Sequence, residues 1–163
     1  MDWNEDFESG LADMDVQHRY IFALIQRVNQ LDDATNKDAL QDAAEEIARL
    51  AICHFGCEEK LMRAYEYPDA DRHIREHEKL LDVVREFQRA KEYSAHHLAL
   101  FLCNWLVSHT MLEDRRLAHH VLTFRAKAMG MSIEEFVGGV TLNRPSAVYA
   151  KAKPVNRNKA VGD

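Results

Sequence analysis

The stretch Ile52-Cys53-His54-Phe55-Gly56-Cys57-Glu58-Glu59-Lys60-Leu61-Met62 decides how this chain folds. It lies within a longer run, Lys37 to Ala64. There Leu40, Ala44, Ile47 and Leu50 recur at three- and four-residue steps, the period of one helix face. His54 and Glu58 are four apart, so they share a face of that helix. Tyr65-Glu66-Tyr67-Pro68 ends it, because proline disfavours helix at the residue before it. The next run, about Asp69 to Lys91, repeats the device. His73 and His77 share a face early in it, and Leu80, Leu81, Val84 and Phe87 carry the apolar stripe later.

Two further amphipathic runs flank these. Asp15 is expected to cap a helix reaching Leu31, with Ile21, Leu24, Ile25 and Val28 on its inner face. Residues 1–14 read as a polar arm without helical periodicity, and Asp32 to Asn36 as a polar break. Ser94 caps a fourth helix reaching about Lys127. Gly130 is a stop, and Ser132-Ile133-Glu134-Glu135 is a capping box that opens a short helix to about Val140. The expected fold is all-α: an up-down-up-down four-helix bundle with an N-terminal arm, a short extra C-terminal helix and a tail. Residues 1–128 form the bundle and 129–163 the appendage.

Composition agrees. Of 163 residues, 47% are hydrophobic and 29% charged, which is ordinary for one globular domain. Gly 6 and Pro 3 leave few chain breakers, which suits long helices over a turn-rich sandwich. The net charge of −6 argues against a nucleic-acid binder. Residues 141–163 hold Arg144, Lys151, Lys153, Arg157 and Lys159 against Asp163 alone, so this segment is +4 and the rest of the chain −10. It reads first as a solvated tail and second as a docking segment for an acidic protein partner or anionic membrane. No apolar run is long enough for membrane insertion, and the acidic start does not resemble an export signal. Cys53, Cys57 and Cys103 do not make a secreted disulfide framework, and Cys53 and Cys57 read as buried small apolar residues. These features point to a reduced, cytoplasmic location.

Histidine is the unusual residue, at 9 of 163. Antiparallel neighbours in a bundle meet at equal distances from the turn that joins them. Around residue 35, His18 lies 17 before and His54 lies 19 after. Around residue 66, Glu58 lies 8 before, with His73 7 and His77 11 after. Around residue 92, His77 lies 15 before and His109 17 after. At about 1.5 Å per residue, five histidines fall within one to two turns of a common layer. Imidazoles and carboxylates inside an apolar bundle are costly unless satisfied, and metal ions satisfy them. Imidazole with carboxylate suits iron, zinc, copper or nickel. Two carboxylates on different helices can bridge two metals. With a solvent-derived bridge, such a set leaves one octahedral position open for a small molecule. His96, His97, His119 and His120 read as ordinary core or solvent-exposed residues.

The fourth helix leaves a choice. Asp114 is five residues from His109, about 140° around an α-helix, whereas Glu113 at four is the better geometric partner. A local π-bulge would bring Asp114 inward instead.

The ordered pattern resembles the hemerythrin family, its bacterial single-domain members in particular. The resemblance rests on Trp3, Met14-Asp15-Val16-Gln17-His18, the 54–62 stretch, Tyr67-Pro68, His73-Ile74-Arg75-Glu76-His77, and Trp105-Leu106-Val107-Ser108-His109 through Asp114. It implies a non-haem, oxo- or hydroxo-bridged di-iron centre that binds O2 reversibly for transport, storage or delivery, with nitric oxide or small anions as further ligands. One iron would take His73, His77 and His109, and the other His18 and His54. Glu58 and Asp114 would bridge, so the family chooses Asp114 over Glu113. By the same analogy Ile21, Phe55, Trp105 and Leu112 line the O2 pocket. Thr110 stands where the family commonly has Ile, and its hydroxyl, if it faces the pocket, would hydrogen-bond bound oxygen or admit water. The resemblance implies a binding protein and no enzyme. The chain has no Glu-x-x-His pair of the ferritin-like oxidases. The alternative is an O2 or redox sensor acting through a partner, docked by residues 141–163.

Overall fold

The protein is described by a computed structural model covering residues 3–31, 37–89 and 94–142. The basic segment from 143 onward, on which the docking reading rested, lies outside the described residues. Four helical rods build the bundle: α1 (Ala12–Val28), α2 (Lys37–Ala64), α3 (Ala70–Arg89), and a last rod made of α4 (Ala95–His109), a π-helical segment (Thr110–Asp114) and α5 (Arg115–Ala128). α6 (Ile133–Leu142) follows and packs on α5. α1 packs against α2 and α4, and α2 against α3. Among the described residues there is no strand, and no helix is long and apolar enough to cross a membrane.

The punctuation read from the sequence works locally. Ser94 Oγ accepts from the His97 amide. Ser132 and Glu135 form the reciprocal capping box: the Glu135 amide donates to Ser132 Oγ at 3.2 Å, and the Ser132 amide to Glu135 Oε2 at 2.9 Å. After α2 the chain turns through Glu66, a non-glycine residue at φ 49, and the Tyr67 amide donates back to the Met62 carbonyl at 2.9 Å.

The start of α1 differs from the expectation. The helix begins at Ala12, with Leu11 at the cap position, and a single 3₁₀ turn (Glu5–Phe7) precedes it. Asp15 therefore lies inside the helix. Its buried carboxylate accepts from the Ser9 amide (2.6 Å), the Ser9 hydroxyl (2.8 Å) and the Gly10 amide (3.2 Å). It ties the arm to the bundle, a tertiary job that periodicity does not announce. Burial pushes the Asp15 carboxyl up, but His18 and these donors more than reverse that and hold it low. The arm is also held by Arg115, which donates to the backbone carbonyls of Glu8 and Asp6.

The core divides into two apolar clusters. The larger includes Ile21, Ile25, Ile47, Phe55, Leu80, Leu98 and Leu106. The smaller includes Leu11, Met14, Met62, Tyr67, Leu117 and Val121. Along α1 the order is Met14, His18, Ile21. Along the last rod it is Leu106, His109, Asp114, Leu117. A polar layer thus sits between two dry ones.

Candidate metal centre

His18, His54, Glu58, His73, His77, His109 and Asp114 all lie in that layer, and each is at most 5% exposed. They form two groups whose potential donor atoms lie within 4.8 Å of one another. One is Glu58, His73, His77 and His109; the other is His18, His54, Glu58 and Asp114. The carboxylates link the groups. Glu58 Oε1 is 3.0 Å from Nε2 of His54, and its Oε2 is 3.0 Å from Nε2 of His77. Asp114 Oδ2 is 3.2 Å from Nε2 of His18, and its Oδ1 is 3.2 Å from Nε2 of both His73 and His109. Each carboxylate therefore turns one oxygen to each group.

Asp114 reaches this position through the π segment. The extra residue in the turn brings the side chain five positions after His109 back onto the inner face. Glu113, favoured by simple four-residue spacing, turns away from the layer to Arg72. Both its oxygens accept from Arg72 Nη1 at 2.6 Å.

The donor set fits a cation pair. Both oxygens of Glu58 and of Asp114 are buried and make no hydrogen bond, despite imidazole nitrogens 3.0–3.2 Å away. The nitrogens face one another as well: His18 and His54 Nε2 at 3.0 Å, His73 and His109 Nε2 at 3.0 Å, His77 and His109 Nε2 at 3.2 Å. One proton can serve each of those contacts at most. Lone pairs converging on the same points, with oxygens left unsatisfied, are the arrangement that positive ions complete.

Without ions, the charges of the layer lean on one another. Burial pushes His18 down, but the carboxylates of Asp114, Asp15 and Glu58 close to its ring raise it to about 9. The same competition raises His73 to about 9. Burial and its imidazole neighbours outweigh Glu58 at His77, which is lowered. Burial and the Asp114 charge push Glu58 up, but the imidazoles of His54 and His73 hold it below the usual carboxylate range. Burial also opposes ionisation of Asp114, and His109, His18 and His73 more than reverse it.

The surrounding side chains fix ring orientations. His54 Nδ1 donates to Gln17 Oε1 at 2.8 Å, which turns the Nε2 lone pair toward the layer. Phe55 stacks on His77 with centroids 3.8 Å apart and planes 6° apart. Trp105 stacks on His109 at 4.3 Å and 14°. Trp3 lies 6.3 Å from the His18 ring. Ile21 is buried in the larger apolar cluster. Thr110 is fully buried, and its Oγ1 has no hydrogen-bond partner.

Leu112, expected on the pocket wall, is not there: it is 57% exposed. The π segment that turns Thr110 and Asp114 inward leaves Met111 and Leu112, between them, facing solvent. Cys53 and Cys57 depart from expectation too, being exposed and half-buried. Gln17 had no role in the spacing argument, because its partner comes from another helix. Of the four remaining histidines, His96 pairs with Asn29 at 2.8 Å and His120 donates to the Tyr65 carbonyl at 2.7 Å.

Residues 9–121 match the family model described as the hemerythrin HHE cation binding domain. The chain belongs to the hemerythrin family. It is 28% identical to the bacteriohemerythrin of Stenotrophomonas maltophilia over 122 residues, covering 73% of this chain and 80% of that protein. It is 27% identical to the bacteriohemerythrin of Pseudomonas aeruginosa over 115 residues, 69% of this chain and 75% of the relative. The myohemerythrin of Theromyzon tessulatum is 27% identical over 112 residues, 69% of this chain and 86% of the relative. No solved structure matches the chain significantly. Membership of the hemerythrin family implies binding of oxygen at non-haem iron, and its members are oxygen-binding proteins rather than enzymes. The cluster of histidines, glutamate and aspartate fits a di-iron site.

Proposed function

We propose that this chain binds O2 reversibly at two iron ions and serves to carry, store or deliver it. His73, His77 and His109 would hold one iron, His18 and His54 the other, with Glu58 and Asp114 bridging. The observation that carries the reading is the pair of buried carboxylates, each with one hydrogen-bond-free oxygen toward each histidine group. The iron pair would supply the electrons that O2 binding needs. Three imidazoles on one side against two on the other would leave the His18–His54 side for the incoming ligand.

The protein's own residues orient and dry this site. Gln17 sets the His54 tautomer, and the stacked rings of Phe55 and Trp105 hold His77 and His109 in place. The apolar clusters on either side keep out the water and protons that promote irreversible oxidation. Ile21, Phe55, Trp105 and Thr110 are the wall residues of this reading. It takes residues 1–128 as the iron-binding unit and 129–163 as an appendage, in the cytoplasm. Nitric oxide and small anions would compete at the same position.

The test is metal content per chain together with the visible spectrum. Two irons, a colourless reduced protein, and a charge-transfer band that appears in air and disappears on removing O2 are expected. Zinc alone, no metal, or a spectrum that goes directly to the oxidised form in air would overturn reversible binding.

A further inference from the structure

The π segment that brings Asp114 inward turns Met111 and Leu112 outward, 39% and 57% exposed. These two side chains form one wall of an open surface cavity of about 520 Å³, also lined by Tyr67, Arg115, Arg116 and Thr123. A cavity of this size lies within the range of small-molecule sites. None of its lining residues belongs to the seven in the metal layer, so the inference does not rest on the iron reading.

Its lining combines an apolar wall with a cationic rim. Arg115 spends its hydrogen bonds on two backbone carbonyls rather than on a carboxylate. Arg116 has Glu113 as its carboxylate neighbour, at 3.4 Å, but that carboxylate is already held by Arg72 at 2.6 Å. The acid on the rim, Asp69, is likewise paired with Arg72, at 3.3 Å. Arg115 and Arg116 thus line the cavity against one carboxylate, Asp69, a local positive excess on a chain whose net charge is −6. Large apolar side chains exposed beside Arg116, whose carboxylate partner Glu113 is shared with Arg72, match a ligand with an apolar body and one anionic end.

We propose that this cavity binds an amphipathic monocarboxylate, with its hydrocarbon chain on Met111 and Leu112 and its carboxylate on Arg116. A polyanion is disfavoured by Asp69, and a cation by the arginines.

The experiment is isothermal titration of the full-length, iron-loaded protein with sodium octanoate, and with octylamine as the probe of equal chain length and opposite charge. Saturable 1:1 binding of octanoate, at least about tenfold tighter than octylamine, is expected. Leu112→Glu should weaken octanoate by a similar factor. Arg116→Glu should reverse the preference toward octylamine. Both substitutions are at exposed positions, and unchanged circular dichroism checks the fold. Absence of saturable octanoate binding, equal binding of the two probes, or an Arg116→Glu variant that binds octanoate normally would overturn the proposal.

Discussion

Asp114 Oδ1 lies 3.2 Å from His109 Nε2, although five residues separate them on one helical rod. An α-helix would put these side chains about 140° apart. The π segment removes that offset, and it turns the neighbouring Glu113 away to meet Arg72. Two adjacent acids therefore have opposite tasks. Asp114→Ala is expected to reduce iron from two to about one per chain, because a bridging oxygen is lost on both sides. Glu113→Gln should retain two irons and cost about 1 kcal/mol of stability, the worth of a partly exposed ion pair. Metal analysis and thermal melts of the two variants check this; equal iron loss in both would contradict it.

Gln17 touches no donor atom of the metal layer but accepts the His54 Nδ1 proton at 2.8 Å. Gln17→Leu keeps the size and removes the acceptor. The His54 ring then loses its fixed tautomer, and metal affinity should fall about 10- to 100-fold. Competition with a chelator of known affinity measures it. An unchanged affinity would show that packing alone orients His54.

The Thr110 hydroxyl is fully buried and has no partner. Thr110→Val preserves shape and removes the unsatisfied group. The metal-free protein should gain about 1 kcal/mol in urea unfolding, because a buried orphan hydroxyl is costly. With iron bound, the drier wall should slow autoxidation in air several-fold. A faster rate in the variant would mean that the hydroxyl protects the bound ligand instead.

In the metal-free protein, His18 and His73 are each raised from 6.5 to about 9. A raised histidine contributes stability that is fully present below pH 6.5 and is lost as pH rises through about 9. Metal-free protein should therefore melt at a clearly lower temperature at pH 9.5 than at pH 6.5. Metal binding requires neutral imidazoles, so loading should release protons near neutrality and remove this alkaline decline. Melts at the two pH values, with and without metal, decide it; parallel behaviour of the two forms would refute the assignment.

Most of the candidate site is legible in the sequence. Four-residue pairs such as His54–Glu58 and His73–His77 report a shared helix face directly, because the helix period is fixed by backbone geometry. Equal distances from the connecting turns then place those faces at one height. The Ser94 cap, the Ser132–Glu135 capping box and the Pro68 stop are also local, since they are hydrogen bonds and steric clashes within a few residues.

What the sequence by itself determined is therefore everything that depends on short-range spacing: the helices, their inner faces and five histidines in one layer. The tertiary structure alone decided three things. It turned Asp15 from an expected cap into the anchor of the N-terminal arm, through donors at Ser9 and Gly10. It gave Gln17 its role, through a partner on another helix. It shows how Asp114 displaces Glu113 and why Leu112 faces solvent, through a π turn that spacing permits but does not require. A helix follows from its own backbone energetics, whereas a wider turn within it is chosen by what the neighbouring helices bring opposite. Here that is two groups of imidazoles with room for a shared carboxylate between them.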